Sequence, residues 1–461
     1  MSLTCTNHAD IQTIDPNNPV TAYKGLDFTL NGDKNQASFI VMGCWNSYCM
    51  NVAKGSFIQS SYQRLVVNMI EQCQKNINAQ YIIGAGDNHY NHPLGMQKSI
   101  KTILDVGEQC FDKINIPMYM SLGNHDIVNR DILAEQLKKT YNNSDITTPD
   151  IRFSSNWILP SAYYHINHKL NDSEIDFCYV ETSLFRGRHF LPESTKIQLV
   201  RTMLKWLDST LKRCKGIKCI VGHHPIFAVG HSDPDKPVIN KDLMTLYKLA
   251  IKHKIHFYFC ADEHNSQYIY DDTNDIHHIV AGGTAPGSGG DIAVVHDHPS
   301  DYHRPDIKIA SINTEQISYQ VRSVFTFSGP SFIHFNINNN EIDFRIKGIH
   351  DNILHNNQED IKYMCKTGYT GRLDILKDRA KLDIKDYFVK KIPRRHNLMF
   401  LLDCKSYTHI QEVAKLVNTH KNIHINTSVD DINRKVKKHE KKYKKINLMI
   451  ISDTGRGLVA A

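Results

Sequence analysis

The 461-residue chain has no long hydrophobic run. No stretch approaches the ~18–20 apolar residues that a membrane-spanning helix needs, so a helical membrane span is not expected. Met1 to Pro19 lacks a basic stretch leading into an apolar core, the pattern of a secretory signal peptide. Disulfide scaffolding is also missing: the eleven cysteines are odd in number and scattered, among them Cys5, Cys73, Cys110, Cys178, Cys365 and Cys404. The cytoplasm or another reducing intracellular compartment is therefore the expected setting, where Asn142-Asn143-Ser144 carries no glycosylation message. The glycine-rich Gly282–Gly290 segment is not followed by Gly-Lys-Ser/Thr, which excludes a nucleotide P-loop.

What the chain does have is five short polar segments, each closing an apolar run. Ser38-Phe39-Ile40-Val41-Met42 leads into Gly43-Cys44-Trp45, and Tyr81-Ile82-Ile83 into Gly86-Asp87-Asn88-His89-Tyr90. Met118-Tyr119-Met120 leads into Gly123-Asn124-His125-Asp126, Cys219-Ile220-Val221 into Gly222-His223-His224-Pro225, and His256–Cys260 into Ala261-Asp262-Glu263-His264-Asn265. Apolar runs separated by helix-like stretches predict a buried sheet with covering helices. The crevice beyond the carboxyl ends of such strands is where α/β folds place their sites, so ligands from five separate strand ends converge there. Asp, Asn, His and Tyr are donors for hard or borderline metals.

In this order the motifs resemble the calcineurin-like metallophosphoesterases, and among them the tartrate-resistant type of purple acid phosphatase. That family reads Gly-Asp-Trp-Gly, Gly-Asp-Asn-Phe-Tyr, Gly-Asn-His-Asp, Gly-His-Tyr-Pro and Gly-His-Asp-His-Asn-Leu-Gln, where this chain has GCWN, GDNHY, GNHD, GHHP and ADEHNSQ. Asn156-Trp157, Pro160–Tyr164 and the helical Gln198–Leu207 stretch are lesser echoes, and the likeness extends over roughly residues 38–350. The resemblance implies a four-layer α/β/β/α sandwich and a pair of metal ions about 3.5–4 Å apart. It assigns Cys44, Asp87, Tyr90 and His264 to the first metal, and Asp87, Asn124, His223 and Asp262 to the second, with Asp87 bridging. Iron paired with zinc, manganese or a second iron would suit this donor mixture. The implied function is hydrolysis of a phosphorylated substrate through a metal-bound hydroxide, with His125 as proton donor to the leaving group and His231 assisting. Tyr90 occupies the slot whose tyrosinate colours the purple enzymes.

Two departures fall on ligand positions. The family's first Asp is Cys44 here, and the first His of its last motif is Asp262. Asp262 is a serviceable ligand, or alternatively a carboxylate held by backbone donors at a strand end. Cys44 has three readings: a redesigned thiolate ligand, a buried apolar cysteine in a defunct position, or a redox thiol paired with Cys49. The alternative to the hydrolase is accordingly a catalytically impaired, phosphatase-fold pseudoenzyme kept as a binding or structural module. His231 stands one position short of the family's second catalytic histidine and also reads as a polar loop residue. His89 replaces an aromatic and reads as a neighbour of the site or a surface residue, with a ligand role as the lesser alternative. His296, His298 and His303 fall in what reads as a Pro-containing surface loop.

Residues 1–37 read as a lead-in or edge strand, 38–350 as the phosphoesterase body and 351–461 as a small basic α/β domain. Ser331–Ile337 and Glu341–Ile349 predict a closing hairpin. In the tail, strands at Leu398–Leu402, Ile423–Ile425 and Leu448–Ile451 alternating with helices at His409–Val417 and Val429–Lys445 predict a small parallel sheet. Residues 360–461 carry about +12 of charge against the chain's net +7, leaving the front near −5. The lysine-rich Arg434–Lys445 run suits a nucleic acid or another anionic surface, or is simply a solvated helix face.

Overall fold

The computed structural model describes residues 2–46, 48–51, 56–59, 61–90, 100–187, 189–229, 237–284, 307–313, 317–327, 330–338, 341–349, 384–393, 398–404, 446–452 and 458–460. All five apolar runs that precede the motifs are strands: Gln36–Met42, Tyr81–Gly84, Met118–Met120, Ile217–Val221 and Phe257–Cys260. The first three lie side by side in a seven-stranded sheet and the last two are neighbours in an eleven-stranded one. Within each group the pairing is parallel, with Ile82 opposite both Ile40 and Met118, and Cys219 opposite Phe257. Parallel neighbours need crossovers, which the helices Ser61–Ile77 and Ile100–Phe111 supply in the first sheet and Glu193–Arg213 and Met244–His253 in the second. The predicted Gln198–Leu207 stretch thus belongs to the long Glu193–Arg213 helix, whose Trp206 rests 5.2 Å from the Tyr163 ring.

The two sheets meet through aromatic rings. Phe39 stacks on Tyr81 at 5.4 Å and Phe335 at 5.2 Å within its own sheet, and meets Phe177 of the other sheet edge-on at 5.4 Å. Phe257 and Phe259 approach Phe335 in the same edge-to-face manner. Edge-to-face packing lets rings from opposed sheets interdigitate and adds about 0.5–1.5 kcal/mol per pair beyond area burial. With helices over the outer faces, this is the α/β/β/α sandwich of the metallophosphoesterases, and the motif-bearing strand ends of both sheets gather at one edge.

Residues 1–37 supply two strands, Ser2–Cys5 and Gly25–Asn31, and the second lies inside the eleven-stranded sheet, parallel to Tyr163–Lys169. The hairpin strands Ser331–Asn338 and Glu341–Ile349 join the seven-stranded sheet. By compactness the chain forms two units, Met1–Ile337 with Asp343–Lys390, and Asn338–Ile342 with Lys391–Ala461.

In the second unit, Leu398–Cys404 pairs antiparallel with Ile446–Ser452, which pairs antiparallel with Leu458–Ala460. The expected parallel sheet is therefore corrected for these strands. An apolar run signals burial but not direction, which is set by the path of the connection. The predicted helices, the Ile423–Ile425 strand and the lysine-rich run lie outside the described residues. Among the described residues no helix is long and apolar enough to cross a membrane.

Candidate metal centre

Three of the motif residues are forced into left-handed backbone: Cys44 at φ 52°, Asp87 at φ 57° and Asp262 at φ 64°, each just beyond a strand. Non-glycine residues rarely adopt this region, and holding one there costs about 1–3 kcal/mol. The turn turns each side chain inward from its strand end. Gly86, at φ 86°, precedes Asp87, and a Cβ on it would lie 2.8 Å from both the Gly123 backbone nitrogen and His223 Nδ1. This glycine is what lets the Asp87 and Asn124 loops touch.

Asp87 is buried and its two oxygens face different donors. Oδ1 accepts the backbone N–H of His125 at 3.1 Å and lies 3.3 Å from His223 Nε2; Oδ2 lies 3.9 Å from Cys44 Sγ. His223 donates from Nδ1 to the Ala85 carbonyl at 2.8 Å, which aims Nε2 into the site. Around that Nε2 stand Asn124 Oδ1 at 2.9 Å, Asp87 Oδ1 at 3.3 Å and Asp262 Oδ1 at 3.5 Å. Ligands bound to one tetrahedral ion at 2.0–2.2 Å would be about 3.4 Å apart, and each of these three oxygens stands near that distance from the His223 nitrogen, as a partner ligand of a zinc, iron or manganese ion would.

The other half is less complete. Cys44, Asp87 and His223 offer donor atoms within 4.8 Å of one another. The Tyr90 hydroxyl is buried against Cys44 and Asp87 with no well-formed hydrogen bond, a position in which a cation beside Asp87 would engage it. Cys44 itself sits in a buried cluster with Ala85, Tyr90 and Ala261, which is the setting of an apolar cysteine as much as of a ligand. His264 stays outside the close donor groups, its ring 6.4 Å from that of Tyr90.

Electrostatics follow from burial and these neighbours. Burial alone would lift Asp87, but His223 and His125 overcome it and bring its pKa to about 2. Burial likewise works against a charged His223, yet Asp87 and Asp262 hold the imidazole well above the usual histidine range. Desolvation, reinforced by the Asp87 charge, pushes the Cys44 thiol well up. Tyr90 is raised by burial, with Cys44 and Asp87 adding to it. A cation would reverse the bias at both groups.

The structure brings Asp87, Asn124, His223 and Asp262 together, with Cys44 and Tyr90 adjoining and the His125 ring 4.7 Å from that of Tyr90. His231, the His296–His303 loop and the Cys49 side chain lie outside the described residues. His89 is buried, with neither ring nitrogen hydrogen-bonded, and burial lowers its pKa to about 4.

Two contributors escape a reading of the sequence as ligands alone. His224 forms a donor group with His223 and Asp262 while its Nδ1 meets Thr182 Oγ1 at 2.9 Å. Asp126 is a buried brace: its carboxylate accepts the backbone N–H groups of Gly123 at 2.7 Å and Asn88 at 2.9 Å, and the Gln136 amide at 3.0 Å. The doubled His in GHHP was the available signal for the first; the carboxylate closing GNHD was the signal for the second.

Residues 38–266 match the calcineurin-like phosphoesterase family model, and this part of the chain is a calcineurin-like phosphoesterase domain. Within that class it is similar to tartrate-resistant acid phosphatase type 5. The Oryctolagus cuniculus protein is 24% identical over 257 residues, covering 53% of this chain and 71% of its own length. The Sus scrofa protein is 26% identical over 220 residues, covering 45% of this chain and 59% of its own length. Among solved structures, the GAP50 anchor of the Plasmodium inner membrane complex aligns with a TM-score of 0.46 at 19% identity, covering 68% of this chain and 85% of that one. Purple acid phosphatase PPD1 from yellow lupin (Lupinus luteus) aligns at 0.42 and 12%, covering 70% and 53%.

Proposed function

We propose that the protein is a two-metal phosphoesterase that hydrolyses phosphate esters at the Asp87 site. The observation carrying this reading is the trio of Asn124, Asp87 and Asp262 oxygens 2.9–3.5 Å from a single His223 nitrogen. Asp87, Asn124, His223 and Asp262 would hold one metal; Asp87, Cys44, Tyr90 and His264 would hold the other. Bound there, two such ions supply Lewis acidity to the phosphoryl oxygens and activate a water near neutral pH. Asp87 would serve both, since its two oxygens face different donors.

The chain's own groups do the rest. Asp126 fixes the Gly123 and Asn88 amides and so the relative placement of the Asp87 and Asn124 loops. The Ala85 carbonyl fixes the His223 tautomer. His125, anchored through its backbone N–H to Asp87 and half-exposed, holds a proton for the leaving-group oxygen. Three residues kept in left-handed backbone, two of them the departures Cys44 and Asp262, are strain of the kind found at working sites.

A second reading rests on Cys44. Its apolar cluster and its upward-shifted thiol suit a body with one metal position impaired, a phosphatase-fold module that binds phosphorylated ligands without efficient turnover. Hydrolysis of an aryl phosphate by the purified chain, with added iron, zinc or manganese, separates the two. Turnover that falls about 10²–10⁴-fold in His125→Gln, with bound metal retained, supports the hydrolase. No turnover with any metal, in a protein that still binds phosphate, supports the module.

A further inference from the structure

A second cluster of soft donors lies in the eleven-stranded sheet. His165 on Tyr163–Lys169 pairs directly with Cys178 on Glu174–Tyr179, and Asn167 pairs with Asp176. Directly opposed residues of an antiparallel pair, and residues two apart on a strand, share a face, so these four side chains form a square on one side of the sheet. Cys214, the residue that caps the Glu193–Arg213 helix, closes over it. The His165, Cys178 and Cys214 donor atoms lie within 4.8 Å of one another and all three residues are buried. Asp176 Oδ1 is 2.9 Å from His165 Nε2, and Cys214 Sγ is 3.9 Å from the same nitrogen. A cavity of about 270 Å³ reaches the cluster, lined in part by Asp176 and Cys214.

Two buried oxygens in the square, Asp176 Oδ2 and Asn167 Oδ1, have no hydrogen-bond partner. Each of these buried acceptors lacks the partner that such a group normally has, and a cation held between them would supply it. The other His165 nitrogen, Nδ1, lies 3.2 Å from Asp27 Oδ1, which Arg213 also contacts at 2.9 Å. A carboxylate on the far nitrogen is the usual way a metal-binding imidazole is oriented.

We propose that His165, Cys178, Cys214 and Asp176 form a structural zinc site, distinct from the phosphoesterase centre. His165 Nε2, the two sulfurs and one Asp176 oxygen supply the four donors, and Asp27 orients His165 from behind. Two thiolates with an imidazole and a carboxylate select a borderline-soft ion over calcium or magnesium. With Zn–S near 2.3 Å and Zn–N near 2.0–2.1 Å, tetrahedral sulfur and nitrogen ligands stand about 3.5 Å apart, so the 3.9 Å pair closes with a small side-chain shift. Binding releases the thiol protons, including the one Cys214 gives the Thr210 carbonyl at 3.2 Å; that carbonyl keeps the Cys214 backbone N–H. The site would pin the end of the long helix to the sheet.

The test uses the full chain carrying Cys44→Ser, which removes the thiol of the phosphoesterase centre so that success or failure there is read separately. Cobalt(II) titration is followed by thiolate-to-metal charge-transfer absorption, and zinc is counted by native mass spectrometry. The proposal expects one thiolate-bound metal per chain, lost in Cys178→Ser, Cys214→Ser and His165→Gln and bound about 10–100-fold more weakly in Asp27→Asn. Circular dichroism identifies any variant that fails to fold, and Asp27→Asn, outside the ligand set, keeps the proposal testable if all three ligand variants do. No charge-transfer band in the folded Cys44→Ser chain overturns the proposal. So does a Cys178–Cys214 disulfide found by peptide mapping of freshly purified protein, which would make the pair a redox couple.

Discussion

Replacing Gly86 with alanine should damage both the fold and the metal centre, by an amount the structure sets. The residue sits at φ 86°, and a Cβ would lie 2.8 Å from the Gly123 backbone nitrogen and 2.8 Å from His223 Nδ1. Left-handed backbone costs an L-residue about 1–2 kcal/mol. Forcing a methyl into packed backbone costs about 1–3 kcal/mol more. The sum is roughly 2–5 kcal/mol, which at about 2 °C per kcal/mol for a large domain lowers Tm by roughly 4–10 °C. Gly187 is the internal control, because a Cβ there meets nothing within 4 Å. Differential scanning calorimetry of Gly86→Ala, Gly187→Ala and the parent chain gives the comparison. The variant should also bind zinc more weakly, since the new methyl presses on the histidine that the Ala85 carbonyl holds in place. A Gly86→Ala protein melting within a degree of the parent would refute the claim that this glycine lets the two loops meet.

Other substitutions probe neighbouring parts of the account. Cys44→Asp restores a carboxylate where the backbone, at φ 52°, is one that aspartate tolerates better than most residues; it should raise occupancy of the first metal and aryl-phosphatase activity at least ~10-fold, about 1.4 kcal/mol of transition-state stabilisation, measured by metal titration and initial rates. Burial raises the Glu181 pKa from 4.5 to about 8. The folded state therefore binds the proton more tightly than the unfolded state, so this contribution is fully present below pH 4.5 and is lost as pH rises through 8. Glu181→Gln, neutral at all pH, should flatten that loss, with a Tm advantage over the parent that grows from pH 5 to pH 8. Asp126→Asn leaves a side-chain amide among the Gly123, Asn88 and Gln136 donors and should cost roughly 1–3 kcal/mol in denaturant unfolding.

Much of the site was legible because its parts are local in sequence. A run such as Tyr81-Ile82-Ile83, apolar on both faces and closed by Gly84 and Gly86, reads as a strand buried between layers, and the polar residues that follow then lie at its carboxyl end. The order of the five motifs did the rest. What could not be read depends on pairing register and connection path. Nothing in the polar composition of residues 1–37 shows that Gly25–Asn31 is an interior strand, since its partner Tyr163–Lys169 lies far along the chain. The antiparallel return of Ile446–Ser452 was invisible for the same reason. His165, Cys178 and Cys214 look unrelated until the register sets the first two opposite each other and the helix end delivers the third.

The central claim is that Asp87 holds two metals at once through oxygens that face different donor sets. Elemental analysis of the parent chain and of Asp87→Ala, purified side by side after loading with zinc or iron and removal of weakly bound ions, tests it most directly. The account predicts that the substitution removes two metal equivalents per chain and abolishes phosphoesterase turnover, while metal at the His165 cluster remains. Equal metal content in the two proteins would contradict it.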